Sequence, residues 1–344
     1  MRIVRQGDSI FIHSPIYDTG TRGRVMHDGS MITGHWYNHV RGGDYKIPFI
    51  AQAGDSRRFT GEWDDPRIVE GQWAVLFDPL EKATPALGFF TAHDDGRVTG
   101  TFATETGDHR SLEGVVQNDS LKLSSFDGSH IYFYRAALDG DRMEGEYLSG
   151  IHWKEAFTGV RSDTAGLRDP HAITHLATDT SRVRFDLRDL HGERVTSNDP
   201  RFAGRVLLLN VMGSWCSNCT DHSLELHRLH QKYHAQGLEV VAMAFEKHED
   251  PERARRNLLR YRDALGLEYP ILFAGRADKE TLQQRLPYLD RVQAYPTTII
   301  LDHKHVVRRI ITGSYGPGTG VLHLQHQQDL DIFIQDLLGE RTLP

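Results

Sequence analysis

From about Gly20 to Gly159, short apolar and aromatic stretches alternate with polar positions and are cut by Gly, Asp and Asn, with little helical periodicity. This pattern predicts many short antiparallel strands. A signature of Gly followed by a β-former recurs in Thr33-Gly34-His35-Trp36, Thr60-Gly61-Glu62-Trp63, Thr99-Gly100-Thr101-Phe102 and Glu144-Gly145-Glu146-Tyr147. Its uneven spacing is unlike a solenoid array and fits a meander that closes, or nearly closes, into a barrel with large rings inward. The pattern breaks between Arg161 and His175, around Pro170, and then changes. Val183 to Leu187 and Glu193 to Thr196 predict a hairpin, and Arg205 to Met212 is the continuous apolar run of a strand buried on both faces. Cys216 to Gln236, ended by Gly237, predicts a helix; Leu238 to Phe245 a second buried strand; Pro251 to Leu265 a second helix. An extended piece at Tyr269 to Phe273 and a short helix at Lys279 to Leu286 follow. Thr297 to Leu301 and Val306 to Thr312 form a hairpin, and Gln325 to Leu338 the closing helix. The expected division is a β-rich, barrel-like domain over 1–165, a linker over 166–180 and an α/β domain over 181–344.

Composition narrows the function. The 344 residues, 39% hydrophobic and 25% charged, suit two globular domains. A formal charge of -7 without any block of like charge speaks against nucleic-acid binding. No run reaches the ~18 apolar residues of a membrane span, and Met1 to Ile10 lacks the apolar core of a signal peptide. Two cysteines only, three positions apart, are too few for a disulfide framework, so their spacing points to chemistry.

Cys216 stands at the mouth of a predicted helix that follows a buried strand. Unpaired backbone N–H groups and the helix dipole favour a thiolate there. Cys216 is therefore the expected nucleophile, and Cys219, one turn further in, the resolving thiol, with Trp215 shielding one side of the sulfur. A zinc site would need further thiolates or well-spaced ligands, and no other cysteine exists. His222, His227, His230 and His234 recur along the same helix and are expected to form a solvated face; no metal is expected. The order of elements is that of the thioredoxin fold. In that topology Pro296, opening a strand after Tyr295, is expected to be cis and to place backbone beside the cysteines for an added substrate strand.

Gly213-Ser214-Trp215-Cys216-Ser217-Asn218-Cys219, with Tyr295-Pro296 downstream, resembles the TlpA-like thioredoxins of bacterial envelopes, a group also named redoxin or peroxiredoxin-like. The resemblance runs from about Val183 to Leu338. Gly100 to Asp108 and Phe126 to His130 resemble the β-rich extension that precedes such domains in Bacteroidetes-type proteins. The resemblance implies a thiol-disulfide oxidoreductase that reduces protein disulfides, with a substrate groove shaped by Trp215, Tyr295 and Pro296 and no cofactor beyond the cysteine pair. It implies a periplasmic or cell-envelope location, with a signal peptide or anchor absent from this chain, and electrons drawn from a membrane partner. The alternative is the cytoplasm, with thioredoxin reductase upstream. The oligomeric state is left open.

Three departures bear on mechanism. Ser217 replaces a frequent Pro, His222 a frequent Glu, and Asn210 the buried Asp of thioredoxin proper. Asn cannot relay a proton, so that role falls to water, Glu246 or His222, or is absent. His222 is either a proton acceptor near neutral pH or an exposed helix residue, and Glu246 either lies at the sheet edge near the site or is a surface carboxylate. A thiol peroxidase is the rival enzyme, but its Pro-x-x-x-Thr-x-x-Cys pattern is missing: Gly213 stands where Thr is required. A third reading is a binding module whose Trp36, Trp63, Trp73, Phe102 and Tyr147 line a cavity; a packed core is the expectation for aromatics in strands.

Overall fold

A computed structural model describes residues 2–54, 57–177, 182–248 and 250–340. The chain forms two compact units, Met1–Thr104 with His109–Leu167, and Glu105–Asp108 with Arg168–Pro344.

The first unit is all-β. Its strands are β1 (Arg2–Gln6), β2 (Ser9–His13), β3 (Thr19–Met26), β4 (Met31–Asn38), β5 (Lys46–Gln52), β6 (Gly71–Phe77), β7 (Thr84–Ala92), β8 (Arg97–Thr104), β9 (Gly107–Asp108), β10 (Leu112–Val116), β11 (Ser120–Phe126), β12 (Ile131–Asp139), β13 (Arg142–Ser149) and β14 (Trp153–Arg161), of which the two-residue β9 packs with the second unit. β1 to β5 make a separate antiparallel meander, whereas β6 to β8 and β10 to β14 close an eight-stranded barrel through the β8–β10 and β14–β6 pairings. The expected single barrel is thus a barrel plus a five-stranded sheet. Trp73, Phe102, Tyr134 and Phe157 are fully buried at its centre, as alternating inward rings require. The recurring glycines let strands approach: a Cβ on Gly145 would stand 2.6 Å from the Ala136 Cα of β12.

The second unit contains β15 (Asp186–Asp189), β16 (Arg194–Thr196), β17 (Val206–Met212), α1 (Ser217–Tyr233), β18 (Leu238–Glu246), α2 (Pro251–Leu265), β19 (Ile271–Arg276), α3 (Lys279–Arg285), β20 (Thr297–Leu301), β21 (Val307–Thr312) and α4 (Val321–Glu340). Its sheet runs β16-β15-β19-β18-β17-β20-β21, with β17, β18 and β19 parallel and β20 antiparallel to β17. Every residue of β17 and β18 is buried, as their continuous apolar runs demand. The Asp250 side chain caps α2, Pro251 opens it, and left-handed Gly266 closes it.

Of the expected linker, 166–180, Gly166 and Leu167 belong to the first unit and the described residues from Arg168 onward to the second; 178–180 lie outside the described residues. Ile173 and Thr174 are fully buried in it, and Leu176 bridges to Leu289, so apolar contact outweighs the breaker signal of Pro170. α4 begins at Val321 rather than Gln325.

Candidate functional site

The site is built where β17 leaves the sheet and α1 begins. Gly213 fits this turn because a Cβ there would lie 2.7 Å from the Phe245 carbonyl oxygen. Ser214 is clamped next: its backbone N–H donates to Glu246 Oε1 at 2.7 Å and its hydroxyl to Oε2 at 2.8 Å. Trp215 donates its indole N–H to the Phe245 carbonyl at 2.9 Å, and Lys247 Nζ sits 4.1 Å from its ring centre. Glu246 is 1% exposed, which overturns the surface-carboxylate reading. Both its oxygens hold the residue two positions before Cys216.

Cys216 and Cys219 form a disulfide, with their Cα atoms 5.2 Å apart. Cys216 is the N-cap of α1, its sulfur accepting from the Cys219 backbone N–H at 3.1 Å. In the reduced protein the same position would set a Cys216 thiolate against the N–H groups of the helix start. Cys216 is 6% exposed and Cys219 fully buried, an order that suits an entering nucleophile and an internal resolving thiol. The Tyr295 carbonyl oxygen lies 3.3 Å from Cys216 Sγ, and the Tyr295-Pro296 peptide bond is cis. The Tyr295 ring meets Trp215 edge-on at 5.1 Å, and burial pushes its hydroxyl pKa well up. The Tyr295 carbonyl thus meets the Cys216 sulfur, with the Trp215 ring against the Tyr295 ring and Pro296 following through the cis bond.

His222 is placed otherwise. It is 1% exposed, not an exposed helix residue, and its Nε2 lies 2.7 Å from Thr298 Oγ1. Burial, helped by nearby His326, pushes its pKa down to about 3. Such an imidazole is neutral and a weak base at pH 7, against the reading as a proton acceptor near neutrality. Asn210 is fully buried in β17, and its amide makes no hydrogen bond among the described residues.

Sequence reasoning missed several supporting groups. Tyr261 of α2 donates its hydroxyl to the Cys219 carbonyl at 2.9 Å and meets the Ser223 hydroxyl at 2.9 Å, and so pins the start of α1. Asn218, between the cysteines, donates to the Asp108 carbonyl at 3.0 Å, and Asp108 also bonds the Gly316 N–H. The histidine row of α1 is no solvated face either: His230 is buried, His227 half-buried and only His234 exposed. Of the aromatics offered as a ligand cavity, Trp73, Phe102 and Tyr147 are packed core, and Trp36 is buried against the rings of Tyr45 and Phe126.

Residues 180–310 match the AhpC/TSA family. Over 130 residues the chain is 34% identical to the thioredoxin-like protein YneN of Bacillus subtilis, an alignment spanning 38% of this chain and 68% of that one. It is 28% identical over 141 residues to the thiol-disulfide oxidoreductase ResA of Geobacillus thermodenitrificans, spanning 41% and 72%. Among solved structures, a thiol:disulfide interchange protein of the thioredoxin family from Chlorobium tepidum aligns with 47% of this chain and 98% of that one, at 20% identity and a TM-score of 0.36.

Proposed function

The chain belongs to the thioredoxin-like AhpC/TSA family, and from that premise we propose that it is a thiol-disulfide oxidoreductase that reduces disulfides in protein substrates. The observation that carries this is Cys216, capping α1 with its sulfur 3.3 Å from the Tyr295 carbonyl and bonded to the buried Cys219. In the reduced protein, the Cys216 thiolate attacks one sulfur of a substrate disulfide and expels the other as a thiolate. Cys219, deprotonated, then attacks Cys216 Sγ and releases the second substrate thiol. Two electrons pass to the substrate, and the Cys216-Cys219 disulfide is left for an upstream dithiol donor to reduce. The chemistry needs no cofactor, because the disulfide itself carries the electrons.

The Tyr295 backbone, held beside Cys216 by the cis bond to Pro296, offers hydrogen bonds to an extended substrate segment, and Trp215 walls the groove. We give the proton of Cys219 to Glu246 rather than His222. The carboxylate is fixed to the cysteine turn through Ser214, whereas burial makes the imidazole too weak a base. Peroxide chemistry is disfavoured because the space at Gly213 cannot take the Thr side chain that a peroxidatic site uses there. Location in the cell envelope, with a membrane protein as electron donor, rests on the TlpA-like resemblance; no described helix is long and apolar enough to cross a membrane.

Trapping tests the function. A Cys219→Ser variant should accumulate a mixed disulfide through Cys216 with a disulfide-bonded protein substrate, seen by mass. Rapid turnover of hydrogen peroxide by the wild-type protein, without such adducts, would sink this reading in favour of a peroxidase.

A further inference from the structure

The far end of α1 carries a second constellation, independent of the cysteines and roughly 16 Å away along the helix axis at 1.5 Å per residue. α1 passes into a short turn, His234–Gln236, and left-handed Gly237 returns the chain into β18. The Arg205 guanidinium holds that turn through the His234 carbonyl at 2.9 Å. This tight return sets Glu239, the second residue of β18, against the last turn of α1. Glu239 is 6% exposed in a strand that is buried along its whole length. A carboxylate there is costly to desolvate and needs a cationic partner.

What faces it are two imidazoles and one backbone N–H, that of Val240, 3.1 Å from Oε1. His230 Nε2 lies 3.0 Å from Glu239 Oε1, and His234 Nδ1 3.7 Å from Oε2. The ligand atoms of all three side chains lie within 4.8 Å of one another. A tetrahedral ion with bonds of ~2.0–2.1 Å separates its ligands by ~3.4 Å, and the two observed separations bracket that spacing. The remaining ring nitrogen of His230, Nδ1, is buried without a hydrogen bond among the described residues. The His230 ring is therefore oriented by the cluster and not by a partner on its other side. Two imidazoles and a carboxylate are a borderline N/O donor set, suited to zinc and its neighbours and not to calcium or magnesium.

We infer that His230, His234 and Glu239 form a binding site for one divalent transition-metal ion of the zinc class. This departs from the expectation of a metal-free helix face. The ion would neutralise the buried Glu239 carboxylate and staple the C-terminal end of α1 to β18, with water completing its coordination.

The test uses the full chain in its oxidised form, so that the disulfide keeps both cysteines from binding metal. After chelator treatment, Zn2+ is titrated against a chromophoric competitor, and Co2+ is added separately to read visible d–d absorption. One equivalent of Zn2+ should bind and raise the melting temperature, and Co2+ should give the intense bands of a four-coordinate site. His234 is exposed, so His234→Gln should leave the fold intact. It should weaken Zn2+ binding by at least the ~10–100-fold that loss of an outer-shell partner alone costs. Absence of stoichiometric uptake would overturn the site. So would uptake that survives both His234→Gln and Glu239→Gln. Uptake lost in His227→Gln but kept in His234→Gln would overturn it in favour of the neighbouring set of His227, His230 and Glu268.

Discussion

Cys216 and Cys219 have different surroundings: Cys216 caps the helix and keeps 6% exposure, and Cys219 is sealed beneath it, so the proposed mechanism gives them different work. Cys216→Ser should abolish disulfide exchange, whereas Cys219→Ser should still attack substrate and stall as the mixed disulfide, a contrast read by mass spectrometry. Glu246 supplies a second prediction. If its carboxylate takes the Cys219 proton, Glu246→Gln should slow resolution at neutral pH and recover as pH rises and the thiol ionises unaided. An unchanged pH profile would leave Glu246 a purely structural clamp on Ser214. His222 makes its own prediction through stability. Its pKa falls from 6.5 when unfolded to about 3 when folded, so the unfolded chain binds the extra proton between those values. Stability contributed by the neutral ring is therefore complete above pH 6.5 and declines as pH falls through that window, by ~1.4 kcal/mol per pH unit. Urea melts of His222→Gln should show a shallower acid decline than wild type. The cysteines were legible in the sequence because residue type and spacing alone identify them. The burial of His222 and Glu246 was not, since it depends on which element packs over each, here Thr298 of β20 and the turn at Ser214.

Among elements, α1 carries the chemistry at one end and a buried carboxylate contact at the other, so its anchoring matters throughout. Tyr261 ties its first turn to α2, and Tyr261→Phe should cost ~1 kcal/mol in denaturant melts and leave the Cys219 carbonyl and Ser223 hydroxyl without this partner. A larger loss is expected in the sheet: Leu209→Ala in β17, at a fully buried position, should cost ~2–5 kcal/mol. Elements with long, unmixed signals were readable. α2 and β20 occupy the residues anticipated, because Pro251 opens α2 and Gly266 closes it, while β20 is an apolar run after Pro296. α4 was read four residues short, since Val321 and Leu324 are exposed apolar residues at its start and break the amphipathic pattern. The hairpin strands β15 and β16 are shorter than expected, each pairing for only three or four residues.

At the scale of the whole chain, the division into an all-β unit and a thioredoxin-like unit followed from the change of period near Pro170. The exact join did not, because Thr174 and Leu176 are held by contacts distant in sequence, to Thr312 and Leu289. Nor could the pattern separate the β1 to β5 meander from the barrel. Both alternate with period two, and closure is decided by the β8–β10 and β14–β6 pairings, which leave no local mark. The central claim is that the second unit uses Cys216 and Cys219 as a reducing couple. The direct measurement is the reduction potential of that couple in the full chain, by equilibration in thiol buffers of defined ratio, alkylation and weighing of the products. A value near ~-250 mV, in the range of thioredoxin and the glutaredoxins, is the predicted result. A value near ~-120 mV, that of a strong oxidant, or a disulfide that does not exchange with the buffer, would contradict it.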